Sequence, residues 1–211
     1  MKHIDKQSEP VEVTDWKVRN PHATFKDLRH EHSFPGAVAA RLALRAALLT
    51  EQKGLCCYCE TRIDNGDFHI EHFRPKDPAL FPYLQLTYDN LHACCRKNAP
   101  GGPEEYCGHK KANEFSDLLV SPLETDCGSH FRYDAMGGIF ANDERGRETI
   151  SILKLDSVLL CRSRKNLIEE FEDMTEAEFG EEVAHHLNPD ANPLGEFYTT
   201  IEYLHTHGLL H

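Results

Sequence analysis

The sequence of 211 residues predicts an α+β fold, with a short two-stranded segment rich in cysteine set between helices. Six of the eight cysteines fall between positions 56 and 107, around two short apolar segments that have the length of strands. Segments with a helical pattern precede and follow this region, and "HFRYDAMGGIFAND" alternates and turns as a hairpin does. The 40% hydrophobic content is enough for a buried core.

Local signals place the elements of the first half. A helix is predicted from about Ala37 to Lys53, because the segment is rich in Ala and Leu and Gly54 stands where a helix cap belongs. Strands are predicted at Phe68–Phe73 and Tyr88–Cys95. A further helix is predicted at His109–Leu119.

The second half is predicted to be mainly helical. Asp156 would cap a helix that runs to about Asp173, and Thr175 with Glu178 forms the capping-box pattern of another. A last helix with one apolar face would end near Gly208. The chain is thus expected to divide into an N-terminal extension and helix at 1–53, a core at 54–118, and a hairpin with C-terminal helices at 119–211.

Charge is unevenly distributed along the chain, whose net charge is −12. Residues 1–113 carry 16 basic and 15 acidic side chains, whereas residues 114–211 carry 7 basic and 20 acidic ones. Much of the acidity lies in Glu169–Glu182. This stretch is interpreted as the solvated face of a helix or, alternatively, as a docking surface for a basic partner.

The sequence shows no membrane or export signal. The apolar run Ala37–Leu49 is interrupted by Arg41 and Arg45 and falls short of the roughly 20 residues that span a bilayer. The N-terminus lacks the apolar part of a signal peptide. We therefore expect a cytoplasmic protein, in which cysteines are more often metal ligands or buried thiols than disulfides.

Four cysteines predict a structural zinc site: Cys56, Cys59, Cys95 and Cys107. The first two form a C-x-x-C pair directly after the predicted helix, a spacing that lets two thiolates face one tetrahedral ion. Cys57 and Cys94 each adjoin a proposed ligand and are competitors. Two other interpretations remain open, since all of these cysteines would also fit as buried thiols and the C-x-x-C pair as a redox pair.

The segments "CCYC", "IEHFRP", "DNLHACC" and "CGHKK" occur in an order that resembles the HNH endonuclease family, also called the ββα-metal fold. In that family a C-x-x-C pair is followed by an acidic residue and His on a strand, an Asn-Leu pair, and a second cysteine pair. The second pair is split here, and the offset from Asn90 favours Cys95 over Cys94. The resemblance implies a zinc-stapled ββα-metal core at 54–118 with flanking helices.

The resemblance also implies roles for the polar residues of this core. His72 would be the general base that activates water, with its ring oriented by Asn90. Glu71 and His109 would hold one Mg²⁺ or Mn²⁺ ion, whereas His69 matches no family role. Because alternation sends Glu71 and His72 to opposite faces of a strand, we expect a twist or bulge there.

Basic side chains near this site have two possible roles, phosphate binding and solubility. Neither role is favoured for any one of these side chains. The set is Arg74, Lys76, Arg96, Lys97, Lys110 and Lys111.

Longer phrases, among them "HIEHFRPK" and "YCGHKKAN", look like the HNH subunits of Septu-type and retron-associated phage-defence systems, the PtuB group. That resemblance implies a nuclease subunit that acts on nucleic acid, DNA or RNA, together with a PtuA-like ATPase. The helix at Ala37–Leu49 and the acidic C-terminal helices are the candidate docking elements. One rival hypothesis is a non-catalytic zinc module that binds nucleic acid or protein, and another is a thiol redox protein.

Overall fold

The computed structural model describes residues 1–64, 67–81, 83–95 and 105–210. The described helices are α1 (Val11–Arg19), α2 (Ala37–Glu51), α3 (Cys107–Lys111), α4 (Glu144–Leu153), α5 (Val158–Glu172), α6 (Glu176–His186) and α7 (Tyr198–Thr206). The described strands are β1 (Phe68–His72), β2 (Leu91–Cys95), β3 (Phe131–Tyr133) and β4 (Ile139–Ala141). Short 3₁₀ turns occur at Phe25–Arg29, Tyr88–Asn90 and Cys127–His130. This composition of helices and small sheets confirms the α+β class.

The four strands form two separate antiparallel sheets. β1 pairs with β2 in a regular register, from Phe68 opposite Cys95 to His72 opposite Leu91. β3 pairs with β4 in the predicted hairpin. Among the described residues β2 is the only strand beside β1, so that one edge of β1 is left uncovered by the sheet.

All three parts of the chain contribute to one hydrophobic core. Trp16 of α1 is fully buried, and α2 buries Ala40, Leu44 and Leu48 at helical spacing. α2 packs against α1, the 3₁₀ turn at Phe25–Arg29 and β2, which brings the N-terminal segment next to the two-stranded unit. None of the described helices combines the length and apolarity that crossing a membrane requires.

Several predicted elements are confirmed, with shifts at their ends. Thr175 and Glu178 form the predicted capping box at the start of α6. Gly208 follows α7 with a φ of 63°, as expected for a residue that ends a helix. The helix predicted to follow Asp156 begins one residue later, because the Ser157 side chain caps it by accepting a hydrogen bond from the Leu160 N–H.

Two predictions were wrong in extent. The helix predicted at His109–Leu119 ends at Lys111, because Ala112 adopts a φ of 48° that does not continue an α-helix. The strand predicted from Tyr88 begins at Leu91, because the preceding residues form a 3₁₀ turn.

Two helices, α1 and α4, were not predicted from the sequence. α1 begins after Pro10 and has no capping hydrogen bond from a side chain. α4 does carry a local signal, since the Asp143 carboxylate accepts a hydrogen bond from the Gly146 N–H at its start.

Candidate active site and cysteine cluster

Buried thiols converge where the start of β1 meets the end of β2. The sulfur atoms of Cys56, Cys94, Cys95 and Cys107 all lie within 4.8 Å of one another. The Cys59 sulfur lies 3.7 Å from that of Cys95. A tetrahedral zinc ion with Zn–S bonds of about 2.3 Å separates its sulfurs by about 3.8 Å. The cluster therefore has the spacing that a four-thiolate zinc site requires.

Cys59 and Cys94 compete for one position in this cluster. The Cys94 sulfur lies 3.8 Å from that of Cys56, and the Cys59 thiol reaches the thiols of Cys56, Cys95 and Cys107. Successive residues of a strand point to opposite faces. Cys94 and Cys95 are therefore less suited to bind the same ion than the two cysteines of a C-x-x-C pair are. Burial raises the pKa of Cys56, but hydrogen bonds from Cys107 and other thiols outweigh burial and hold that pKa well below its usual value.

Glu71, His72 and His109 line one cleft of about 380 Å³. The cleft lies between β1, α2, the 3₁₀ turn at Phe25–Arg29 and α3. Of the expected twist or bulge, the bulge is absent from this described strand pair, because the register of β1 is regular from Phe68 to His72. Side chains from both faces of β1 reach the cleft because the cleft follows the edge that β2 leaves uncovered.

Glu71 is an ionised carboxylate held on both oxygens. The Lys111 ammonium donates to Glu71 Oε1 at 2.8 Å, and His69 Nε2 lies 3.2 Å from Glu71 Oε2. Glu71 is buried, which raises its pKa, but the hydrogen bond from His69 and the charge of Lys111 offset burial and leave that pKa below its ordinary value.

Gly108 allows α3 to approach this carboxylate closely. A Cβ at Gly108 would lie 2.5 Å from Glu71 Oε2 and 2.6 Å from His69 Nε2. The exposed His109 follows, with its ring centroid 4.8 Å from that of His69. Glu71 and His109 both line the cleft, and a carboxylate with an imidazole is a ligand pair that fits Mn²⁺ better than Mg²⁺, which prefers oxygen ligands.

His72 is a buried neutral imidazole. Its Nε2 lies 3.1 Å from the Gln85 carbonyl oxygen, and the Phe25 ring meets the imidazole edge-on at 4.5 Å. Burial lowers the pKa of His72 to about 4, although the bond to Gln85 opposes this shift. A carbonyl oxygen only accepts hydrogen bonds, so Nε2 carries the ring proton and Nδ1 carries the lone pair.

Asn90 does not make the predicted hydrogen bond to the His72 ring. Its Oδ1 accepts from the Arg74 N–H at 2.7 Å, and its Nδ2 donates to the carbonyl oxygens of Arg74 and Leu84 at 2.9 and 3.0 Å. The Asn90 amide makes these hydrogen bonds to the backbone because the segment that follows β1 folds back over the Asn90 side chain. Asn90 therefore fixes the loop that carries Gln85, and Gln85 in turn holds the ring.

The predicted basic cluster separates into different environments. Lys76 lines the cleft. The Arg74 guanidinium stacks on the rings of Phe81 and Phe115, and Lys111 is buried against Glu71. Lys110 lies near Glu114 on the exposed side of α3. Arg96 and Lys97 lie outside the described residues.

Several residues of the site were not predicted from the sequence. Arg29, Arg41 and Arg45 line the cleft although they precede the predicted core. The spacing of four residues between Arg41 and Arg45, in an otherwise apolar segment, was an available signal that both point the same way. The spacing of two between His69 and Glu71 likewise places both side chains on one face of β1.

No family model matches the chain. It is 30% identical over 169 residues to the protein assigned as the HNH endonuclease of retron Vc95 from Vibrio cholerae serotype O1 biovar El Tor, a match that covers 76% of this chain and 78% of that protein. It is 31% identical over 174 residues to the corresponding protein of retron Ec83 from Escherichia coli, covering 72% of this chain and 66% of that protein.

Two Septu proteins are also similar. The Septu protein PtuB of Bacillus thuringiensis is 28% identical over 122 residues, which are 54% of this chain and 42% of PtuB. The Septu protein PtuA of Bacillus mycoides (strain KBAB4) is 22% identical over 151 residues, which are 57% of this chain and 20% of PtuA. The chain belongs to the HNH endonuclease family, in which its relatives are the retron-associated and Septu PtuB proteins.

Proposed function

We propose that this chain is a metal-dependent nuclease of an anti-phage defence system and that it hydrolyses phosphodiester bonds in the cleft along β1. The observation that carries the proposal is the convergence of a neutral imidazole, an ionised carboxylate and a second imidazole, from His72, Glu71 and His109, in one cleft. The names of the retron-associated relatives support the same activity.

The side chains of the cleft suit general-base hydrolysis. His72 accepts a proton from the attacking water at Nδ1, because the Gln85 carbonyl retains the proton on Nε2. Lys111 keeps Glu71 ionised and fixed, and the loop held by Asn90 keeps Gln85 in place. A divalent ion held by Glu71 and His109, for which Mn²⁺ is the better fit, would neutralise charge on the phosphate and stabilise the leaving oxygen.

The cysteine cluster acts as a structural staple in this proposal. Cys56 and Cys59 follow α2, Cys95 ends β2, and Cys107 begins α3. A zinc ion shared by these thiolates ties the three segments together at the end of β1 that lies away from His72. The short α3, with five residues, needs such an anchor to hold His109 in the cleft.

We propose a PtuA-like ATPase as the partner. In PtuA of Bacillus mycoides the segment similar to this chain makes up 20% of the protein, so that a much longer remainder is joined to it covalently. A PtuA and a PtuB are thus both similar to this chain, and the two Septu names support a Septu-type pairing. Partner presentation also accounts for a nuclease whose net charge is −12.

The decisive experiment measures cleavage of plasmid DNA and of total cellular RNA by the purified chain with its PtuA-type partner. Wild type is compared with His72→Ala, with Mn²⁺, with Mg²⁺ and with a chelator. Loss of the general base is expected to lower the rate by about 10²–10⁴-fold. His22→Ala, at an exposed position outside the cleft and the candidate docking elements, is the matched control and should cut as the wild type does.

Zinc content and circular dichroism of each variant separate loss of chemistry from loss of folding. Cleavage by wild type with Mn²⁺ and by His22→Ala, but not by His72→Ala, is the expected pattern. Equal cleavage by His72→Ala, or none by the wild type with either metal, would refute the proposed activity. The non-catalytic zinc module would then be the better description.

A further inference from the structure

The charge of the cleft has the opposite sign from that of the chain. Four of the side chains that line it are cations, Arg29, Arg41, Arg45 and Lys76, and one is an anion, Glu71, which gives a net of +3. The whole chain has a net charge of −12. A cleft lined by one sign of charge focuses the electrostatic field and attracts ligands of the opposite sign.

Three of the four cations come from the segment before the two-stranded unit, namely the 3₁₀ turn at Phe25–Arg29 and α2. Arg41 and Arg45 stand one turn apart on α2, so both face the cleft from the same side of that helix.

Two of the four cations, Arg45 and Lys76, are also positioned by contacts with aromatic residues. Arg45 donates from Nη1 to the Phe68 carbonyl at 3.0 Å, and its guanidinium lies 3.8 Å from the Phe68 ring centroid. Lys76 Nζ lies 5.7 Å from the ring centroid of Phe25, the residue whose ring contacts His72. Side chains held in this way lose less freedom when a phosphate binds.

We propose that Arg29, Arg41 and Arg45 form a phosphate-binding wall that grips the backbone of a nucleic-acid strand and holds the scissile bond against His72. Guanidinium groups match phosphate oxygens with paired hydrogen bonds. The wall reads phosphates and not bases, so strands of DNA and of RNA both fit it. The position of the scissile bond rests on the proposed nuclease function, whereas the phosphate contacts do not.

Binding is measured with the full chain carrying His72→Ala, so that no strand is cut. Labelled single-stranded DNA, single-stranded RNA and duplex DNA are titrated by fluorescence anisotropy over a series of salt concentrations. Adding Arg41→Gln is expected to raise Kd about tenfold at low salt. It should also reduce the slope of log affinity against log salt by about 0.7–0.9 for the lost contact.

Two further variants sharpen the result. Arg41→Lys keeps the charge and should retain the salt slope of the parent. Arg162→Gln removes an exposed arginine of α5 and should change neither Kd nor slope. Equal behaviour of Arg41→Gln and Arg162→Gln would overturn the wall, as would the absence of binding to all three strands at low salt. If the His72→Ala chain binds as expected but the wild type cleaves nothing, the proposed nuclease activity is refuted and the phosphate-binding wall is retained.

Discussion

The Lys111 ammonium lies 2.8 Å from Glu71 Oε1, and both side chains are buried, with exposed fractions of 1% and 8%. The same ammonium donates to the His72 carbonyl oxygen at 2.8 Å. One lysine of α3 thus neutralises the candidate metal ligand and also grips the backbone of the candidate base. This contact sets the position of α3 against β1.

Replacing Lys111 with Met should leave the Glu71 carboxylate buried without its charged partner. Breaking a buried ion pair in this way costs about 3–5 kcal/mol, which urea unfolding would measure. Adding Glu71→Gln to Lys111→Met removes the uncompensated charge, so the double variant should be more stable than Lys111→Met alone. Simple addition of the two single losses would show that the pair is not coupled.

Gly108→Ala tests how closely α3 must approach the carboxylate. The new methyl group would lie 2.5 Å from Glu71 Oε2 and 2.6 Å from His69 Nε2, so both side chains have to move. A displacement of about 1 Å at a catalytic group lowers the rate about a hundredfold. The cleavage rate and the Mn²⁺ affinity by calorimetry should both fall, whereas zinc content should stay at the wild-type level. Gly180→Ala is the matched control, because a Cβ there meets nothing within 4 Å.

Asn90→Ala tests whether Asn90 positions the His72 ring by fixing the loop that carries Gln85. The substitution leaves the Arg74 N–H and the carbonyl oxygens of Arg74 and Leu84 without their partner, an expected loss of about 1–3 kcal/mol of stability. Cleavage should fall less than in His72→Ala, because the base is still present. The ¹⁵N resonances of the His72 ring should shift as Gln85 moves. An unchanged ring spectrum with reduced cleavage would contradict this positioning role.

What the sequence predicted well depends on short-range signals. The capping box of Thr175 and Glu178 and the pairing strand at Phe68 are encoded within a few residues, and both are present in the structure. The ion pair of Lys111 with Glu71 spans 40 positions and the Arg45 contact with Phe68 spans 23, so tertiary packing decides them. The hydrogen bonds of the Asn90 amide to the backbone also depend on tertiary packing and were therefore not predicted.

The composition of the zinc site can be decided by metal analysis of serine variants. Cys59→Ser is expected to lose zinc, because the C-x-x-C pair supplies two ligands from one turn. Cys94→Ser should retain zinc, because Cys95 faces the ion and the neighbouring residue of a strand points to the opposite face. Cys57→Ser, at a buried thiol beside the pair, serves as the control. Zinc retained in Cys59→Ser and lost in Cys94→Ser would assign the fourth ligand to Cys94, the residue in the tighter group of sulfurs.

His186 should make the stability of the C-terminal helices depend on pH. Burial lowers the pKa of His186, although a hydrogen bond to the Glu196 carbonyl oxygen opposes the shift. Glu182, Arg62 and His185 are the charged or titratable groups that face it. The unfolded chain takes up a proton near pH 6.5 while the folded chain does not. The stability from His186 is therefore complete above about pH 6.5 and declines as pH falls below that value, by at most about 1.4 kcal/mol per unit.

The measurement is denaturant unfolding between pH 7.5 and 5.5 for wild type, His186→Gln and His185→Gln. A glutamine at 186 does not titrate, so the advantage of wild type over His186→Gln should shrink as the pH falls. His185→Gln, at a side chain that is 81% exposed, controls for the effect of substituting a histidine of α6. A difference between wild type and His186→Gln that stays constant over this range would show that the ring is protonated to the same extent in both states.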